Sequence, residues 1–128
     1  MALKLKDTIF DSTGSASLFW TNTGEFIDLR GNCLGFLDGK AVFDFNGTQR
    51  GWFEAGILRD PQSHCVGFVE NATSIVVPPL PSVKKVYPPK IKTAPPLRPA
   101  EETGLKKPRP DSEWSEFDPV SLFQVVCK

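Results

Sequence analysis

The chain has 128 residues, with 15 basic and 15 acidic side chains and no net charge, which bounds it to one modest domain. It contains no run of 18 apolar residues and no apolar stretch behind Met1 to Lys6, so neither a membrane-spanning helix nor a signal peptide is expected. Three cysteines without framework spacing suit a reducing compartment, and a cytoplasmic protein with no membrane partner is the expectation.

The neutrality conceals three blocks. Residues 1–77 carry six Lys/Arg against nine Asp/Glu, residues 78–110 eight against two, and residues 111–128 one against four. Eleven of the 12 prolines lie from Pro78 to Pro119. The expected organisation is a body over 1–77, a proline-rich basic extended tail over 78–110 and an apolar anchor over 111–128. So small a body has a marginal core unless the tail or another subunit covers it.

Within the body one phrase recurs four times. An Asp stands at Asp11, Asp28, Asp44 and Asp60. Two residues before it come Ile9, Phe26, Val42 and Leu58. Three after it come Gly14, Gly31, Gly47 and Ser63. Gly35, Gly51 and Gly67 follow seven after the last three Asp residues, with Leu18 at that place in the first copy. Phe19, Phe36, Trp52 and Phe68 come next. A fixed period is the mark of repeat architecture. Each copy reads as a β-hairpin turning at Thr13-Gly14, Arg30-Gly31 or Asn46-Gly47, the last as a two-residue type I′ turn. Gln62-Ser63 after Pro61 predicts an irregular fourth turn. Thr23-Gly24, Asp38-Gly39 and Ala55-Gly56 join the copies.

Eight short antiparallel strands result, with no room for a helix. Isolated hairpins are barely stable, so four of them must share an apolar centre, most simply around a pseudo-fourfold axis. The expected fold is all-β: four β-hairpin repeats in a ring, with an extended C-terminal tail. A glycine inside a strand marks a bulge or a close approach, and the repeated glycine is read as room for a neighbouring aromatic ring. On that reading Gly51→Val costs more stability than Asp44→Ala.

The Asp-x-x-Gly turns, the Gly-aromatic pairs at 35–36, 51–52 and 67–68, and the run from Gly51 to Asp60 resemble the four-fold beta flower proteins, small bacterial proteins built as four-hairpin rings. The resemblance extends to a Pro/basic tail with Trp114-Ser115 and a late aromatic, Phe123. It implies the ring fold and a bacterial setting. It lends no activity, because the family has none assigned.

From Pro78 the paired prolines favour polyproline II. Val76, Val77, Leu80, Val83, Val86, Tyr87, Ile91 and Leu97 make this segment more apolar than a free linker needs. The chain then offers Trp114, Phe117, Val120, Leu122, Phe123, Val125 and Val126, with Asp118-Pro119 starting a short helix over about 119–126. The tail is therefore expected to dock, with Trp114 and Phe123 as anchors.

Candidate chemistry is sparse. Four carboxylates in a ring suit either a hard cation or the amides of their own turns, and their periodic tie to the turns favours the amides. Cys33, Cys65, His64 and Cys127 lack the Cys-x-x-Cys pair of a zinc set, so no metal, cofactor or disulfide is expected, and the cysteines read as buried thiols. His64 reads as an exposed turn residue, on the face opposite Cys65 and so unfit to activate it. The tail lacks interleaved aromatics and follows an acidic body, so no nucleic-acid partner is expected. Pro78 to Pro81 and Pro96 to Pro99 match the P-x-x-P pattern. No catalytic residue is identified. Two functions remain: a non-catalytic interaction or assembly module with a protein partner or self-association, or a small-ligand or carbohydrate-binding protein using the centre of the ring.

Overall fold

The computed structural model describes residues 5–74, 76–87, 89–90, 96–101 and 106–123. Strands β1 (Leu5–Phe10), β2 (Ala16–Thr21), β3 (Glu25–Asp28), β4 (Cys33–Asp38), β5 (Ala41–Asp44), β6 (Gln49–Glu54), β7 (Ile57–Arg59) and β8 (Cys65–Phe68) close in chain order into one antiparallel barrel. The eight strands are the four hairpins of the sequence period. Each strand pairs with the next, and Phe10 opposite Phe68 closes the ring.

The four turns are alike, because each Asp builds its own. The carboxylate Oδ1 of Asp11, Asp28, Asp44 and Asp60 accepts two backbone N–H groups, two and four residues on, at 2.8–3.1 Å. The Asp carbonyl accepts the N–H of Gly14, Gly31, Gly47 or Ser63 at 2.9–3.1 Å. Asn46-Gly47 is therefore not a type I′ turn: only Gly47 has positive φ, at 84°. Positive φ at both central residues is found at Ala55 (51°) and Gly56 (80°), in a connection between copies. The fourth turn is regular too. Ser63 takes φ 67° where the other copies have glycine, and its Oγ donates to Pro108 O at 3.0 Å.

A bulge falls at one place in all four hairpins, between Ile9 and Phe10, Phe26 and Ile27, Val42 and Phe43, and Leu58 and Arg59. It brings the repeated glycine against the neighbouring hairpin. A Cβ on Gly35, Gly51 or Gly67 would lie 2.3, 1.9 or 2.8 Å from the carbonyl oxygen of Phe43, Arg59 or Phe10. Close approach of backbone, rather than the expected aromatic ring, is thus what all three share. Tail residues add to it at two of them, Phe123 at Gly35 and Pro119 at Gly67.

Alternation sends Ile9, Phe26, Val42 and Leu58 into the barrel, all at 0% exposure, where Phe53 and Phe123 join them. Phe26 meets Phe53 edge-on at 5.9 Å and Phe123 at 5.5 Å. The other face carries aromatic pairs where hairpins meet, such as Phe10 with Phe68 and Phe36 with Phe43.

At its described residues the tail lies on this outer face and then enters one end of the barrel. Val77, Val83 and Trp114 cover the Phe10–Phe68 cluster, and Arg98 stacks on Phe36 at 4.8 Å. The carbonyls of Ser82 and Ala100 sit over Gly14 and Gly47. Pro119, Leu122 and Phe123 then plug the end nearest the Asp turns, with Asp118 Oδ1 capping a 3₁₀ turn over Ser121–Phe123 at 2.8 Å. Both expected anchors are engaged, Phe123 buried and Trp114 half-buried on Phe68. The apolar tail residues contribute less than expected: Val76, Leu80, Val86, Tyr87 and Leu97 are exposed. Ile91, Val125 and Val126 lie outside the described residues, as does the expected helix beyond Phe123; within them that helix is only the 3₁₀ turn over Ser121–Phe123.

Candidate functional site

The fourth hairpin breaks the repeat in one outward position. Immediately before the Asp the first three copies place Phe10, Ile27 and Phe43, and the fourth places Arg59. Arg59 is 1% exposed, so its guanidinium needs acceptors inside the protein. They are backbone carbonyls. Nη1 donates to Ser63 O and to Asp111 O, each at 2.9 Å, and Nη2 donates to Val76 O. Ser63 belongs to the ring, whereas Val76 lies on the chain leaving β8 and Asp111 on the chain returning from the proline-rich tail. One buried cation thus ties the outgoing and the returning chain to the same strand. Burial lowers its pKa, opposed by the negative potential of Cys65, Asp111 and Asp60.

The groups around Arg59 are committed to the same junction. Asp60 Oδ2 accepts Ser115 Oγ at 2.6 Å. Cys65 exchanges backbone hydrogen bonds with Glu113 and Ser115, each 2.8 Å. His64 Nδ1 lies 2.7 Å from Asp111 Oδ2, an ion-pair distance without hydrogen-bond alignment. His64 is half-buried rather than exposed as expected, because Asp111 arrives over it from a distant part of the chain. His64, Asp111 and Glu113 each place a ligand atom within 4.8 Å of the others. Glu113 is exposed and Asp111 already accepts the Glu113 N–H at 3.1 Å, so the three read as a junction between ring and tail.

Cys33 on β4 and Cys65 on β8 stand in the second and fourth hairpins and are both free thiols. Cys33 is half-buried, not buried as expected, and its pKa is raised by burial and by Glu25 and Asp28. Cys65 is fully buried, and burial pushes its thiol up to about 12 despite the nearby Arg59. Cys127 lies outside the described residues. Burial opposes the charge on Asp28, but hydrogen bonds from the Asn32 and Arg30 amides and the Asn32 side chain outweigh it and lower the pKa. Neither P-x-x-P segment is free as a ligand: Pro78 is buried, Pro81 packs at Gly14, and Pro99 packs at Gly47.

Two further features escape sequence reasoning. Arg98 of the tail donates to Glu25 Oε2 at 2.6 Å and to Thr23 O at 2.7 Å. Burial disfavours the Glu25 charge, yet hydrogen bonds from Thr23, Arg98 and Thr21 prevail and hold its pKa below 4.5. The barrel end away from the plug carries a recess of about 390 Å³. Trp20, Leu37, Phe53 and Val69 line it, one from each copy at one repeat position. For Arg59 the available signal is a charge standing where three copies have an apolar residue. For the recess it is the apolar side chain nine places after each Asp.

A model of the family described as 4-fold beta flower protein matches residues 7–123. No curated protein and no solved structure matches the chain. Among the described residues no helix is long and apolar enough to cross a membrane. With four hairpins closed in one barrel and a match spanning all of them, the chain belongs to the 4-fold beta flower protein family.

Proposed function

We propose that the chain is a non-catalytic interaction or assembly module of the bacterial cytoplasm, whose partner is a protein, a further copy of this chain included. The observation that carries this reading is the outer side of the tail. Tyr87 and Leu97, at 97% and 95% exposure, project from a basic proline-rich segment that the ring holds at Gly14, Glu25 and Gly47. A held backbone presenting exposed apolar side chains loses less freedom on binding than a free linker. Consumption of the repeated Asp carboxylates by turn amides, and of Ser63 and Ser115 by the ring–tail junction, also favours a structural role for these groups. Neither nucleic acid nor membrane enters this proposal.

The test is photo-crosslinking in the native cell from a photoreactive residue at position 87 or 97, with position 46 as control. A discrete protein adduct from 87 and 97, abolished by placing Ser at the other of the two positions, is expected. Equal adducts from all three positions, or none, contradict the reading. A small-ligand protein using the centre of the ring is the second reading, favoured by the apolar recess on the barrel axis.

A further inference from the structure

The recess owes its shape to the repeat. The same inward position of four hairpins supplies Trp20, Leu37, Phe53 and Val69, so apolar side chains converge from all sides of the axis. Leu122 and Phe123 fill the opposite end, and no equivalent plug closes this one among the described residues. Its volume, about 390 Å³, falls at the low end of small-molecule sites, about 300–1,000 Å³, and the mouth of a β-barrel is a usual place for them. Trp20 stands edge-on to Phe53 at 5.2 Å, which fixes both rings in the floor.

The rim selects a head group. Glu54 is neutralised by Lys40 at 3.0 Å and by Lys107. Lys6 makes no ion pair among the described residues, and its Nζ lies over the Trp20 ring at 4.6 Å from the centroid. An ammonium is a donor only, so its complement is an acceptor-rich anion beside an apolar body. Asp7, also at the rim and likewise without an ion pair among the described residues, disfavours a second negative charge.

We infer that this mouth is a binding site for a small amphiphilic monocarboxylate, with its apolar part among Trp20, Leu37, Phe53 and Val69 and its carboxylate at Lys6. The site is a different surface from the exposed tail; it rests on the small-ligand reading of the ring centre, not on the interaction-module reading.

Calorimetric titration of the full chain with octanoate, 1-octanol and octylamine tests it. Octanoate is expected to bind saturably and at least tenfold more tightly than octylamine, with octanol between. Lys6→Glu, on an exposed side chain, is expected to reverse the order of octanoate and octylamine. Leu37→Gln is expected to weaken all three by about tenfold. In a ¹H–¹⁵N spectrum octanoate should move the Trp20 indole peak and leave those of Trp52 and Trp114 in place. Absence of saturable octanoate binding overturns the site, as does indifference to Lys6→Glu. Octanoate-induced shifts confined to Trp52 or Trp114 overturn it as well.

Discussion

The second and fourth hairpins, on opposite sides of the ring, hold the tail in opposite senses. At the fourth the ring supplies the cation, Arg59, and the chain beyond β8 supplies carbonyls. At the second the tail supplies the cation, Arg98, and the ring supplies Glu25, Thr23 O and Leu37 O. The Arg59 guanidinium is sealed from water, whereas the Arg98 side chain is 40% exposed, and its buried partner Glu25 also accepts from the Thr21 and Thr23 hydroxyls. A buried fastening cannot exchange its partners for water, so losing it strands several groups together. An exposed one is replaced by solvent at small cost.

The largest expected effect follows from removing the buried cation. Arg59→Met leaves the carbonyls of Ser63, Val76 and Asp111 without their donor, at about 1–3 kcal/mol for each that stays buried, so a loss of about 3 kcal/mol or more is expected in denaturant unfolding. Arg98→Met in the same assay should cost less, because Glu25 keeps its bonds from Thr21 and Thr23 and water can reach the Arg98 position. Equal losses would erase the distinction between the two fastenings.

Next comes the backbone that carries Arg59. Gly51→Val sets a β-branched side chain against Arg59 O, where even a Cβ would lie at 1.9 Å. A loss of about 1–3 kcal/mol or failure to fold is expected, against about 1–2 kcal/mol for Asp44→Ala. Asp44 does more than hold its turn, because Arg50 pairs with its Oδ2 at 2.8 Å. The gap between these two variants is therefore narrower than a turn aspartate alone would leave.

Smaller still is the fourth turn. Ser63→Ala keeps the positive φ and loses the bond to Pro108 O, for about 1 kcal/mol. Ser63→Gly loses the same bond and relieves the backbone, so it should be nearly neutral. If Ser63→Gly proves as costly as Ser63→Ala, relief of backbone strain has no part in this turn.

The mildest effect is one of pH. The folded pKa of Glu25 lies below its ordinary 4.5, so its contribution is complete above that value and is lost as pH falls through the lowered folded value. Arg59 keeps its charge throughout that range. Acid should therefore loosen the Arg98 fastening before the Arg59 one. Glu25→Gln should flatten stability against pH below 4.5, and an unchanged slope would contradict the assignment.

What the sequence discloses divides by the range of the interactions. Asp44 and Gly47 lie in one turn and make their bonds there, so four hairpins and their turns are readable from spacing alone. Gly51 is readable as a close approach. Its neighbour, Arg59 O, is a backbone atom of the next hairpin and leaves no residue signature. The same holds for the acceptors of Arg59, two of which are carbonyls of residues beyond the ring. His64 looks like a solvated turn residue until Asp111 is folded over it. The set Trp20, Leu37, Phe53 and Val69 is present in the period, and only closure of the ring turns it into a recess.

Hydrogen exchange on the full chain, wild type against Arg59→Met, tests the double fastening most directly. The Lys84 N–H bonds Gly14 O and the Ser115 N–H bonds Cys65 O, each at 2.8 Å, one on each arm of the tail. Loss of protection at both amides, with the Asn32 amide in the second turn unchanged, is the predicted result. Retained protection at either arm, under conditions where the ring stays folded, would show that Arg59 does not hold the two together.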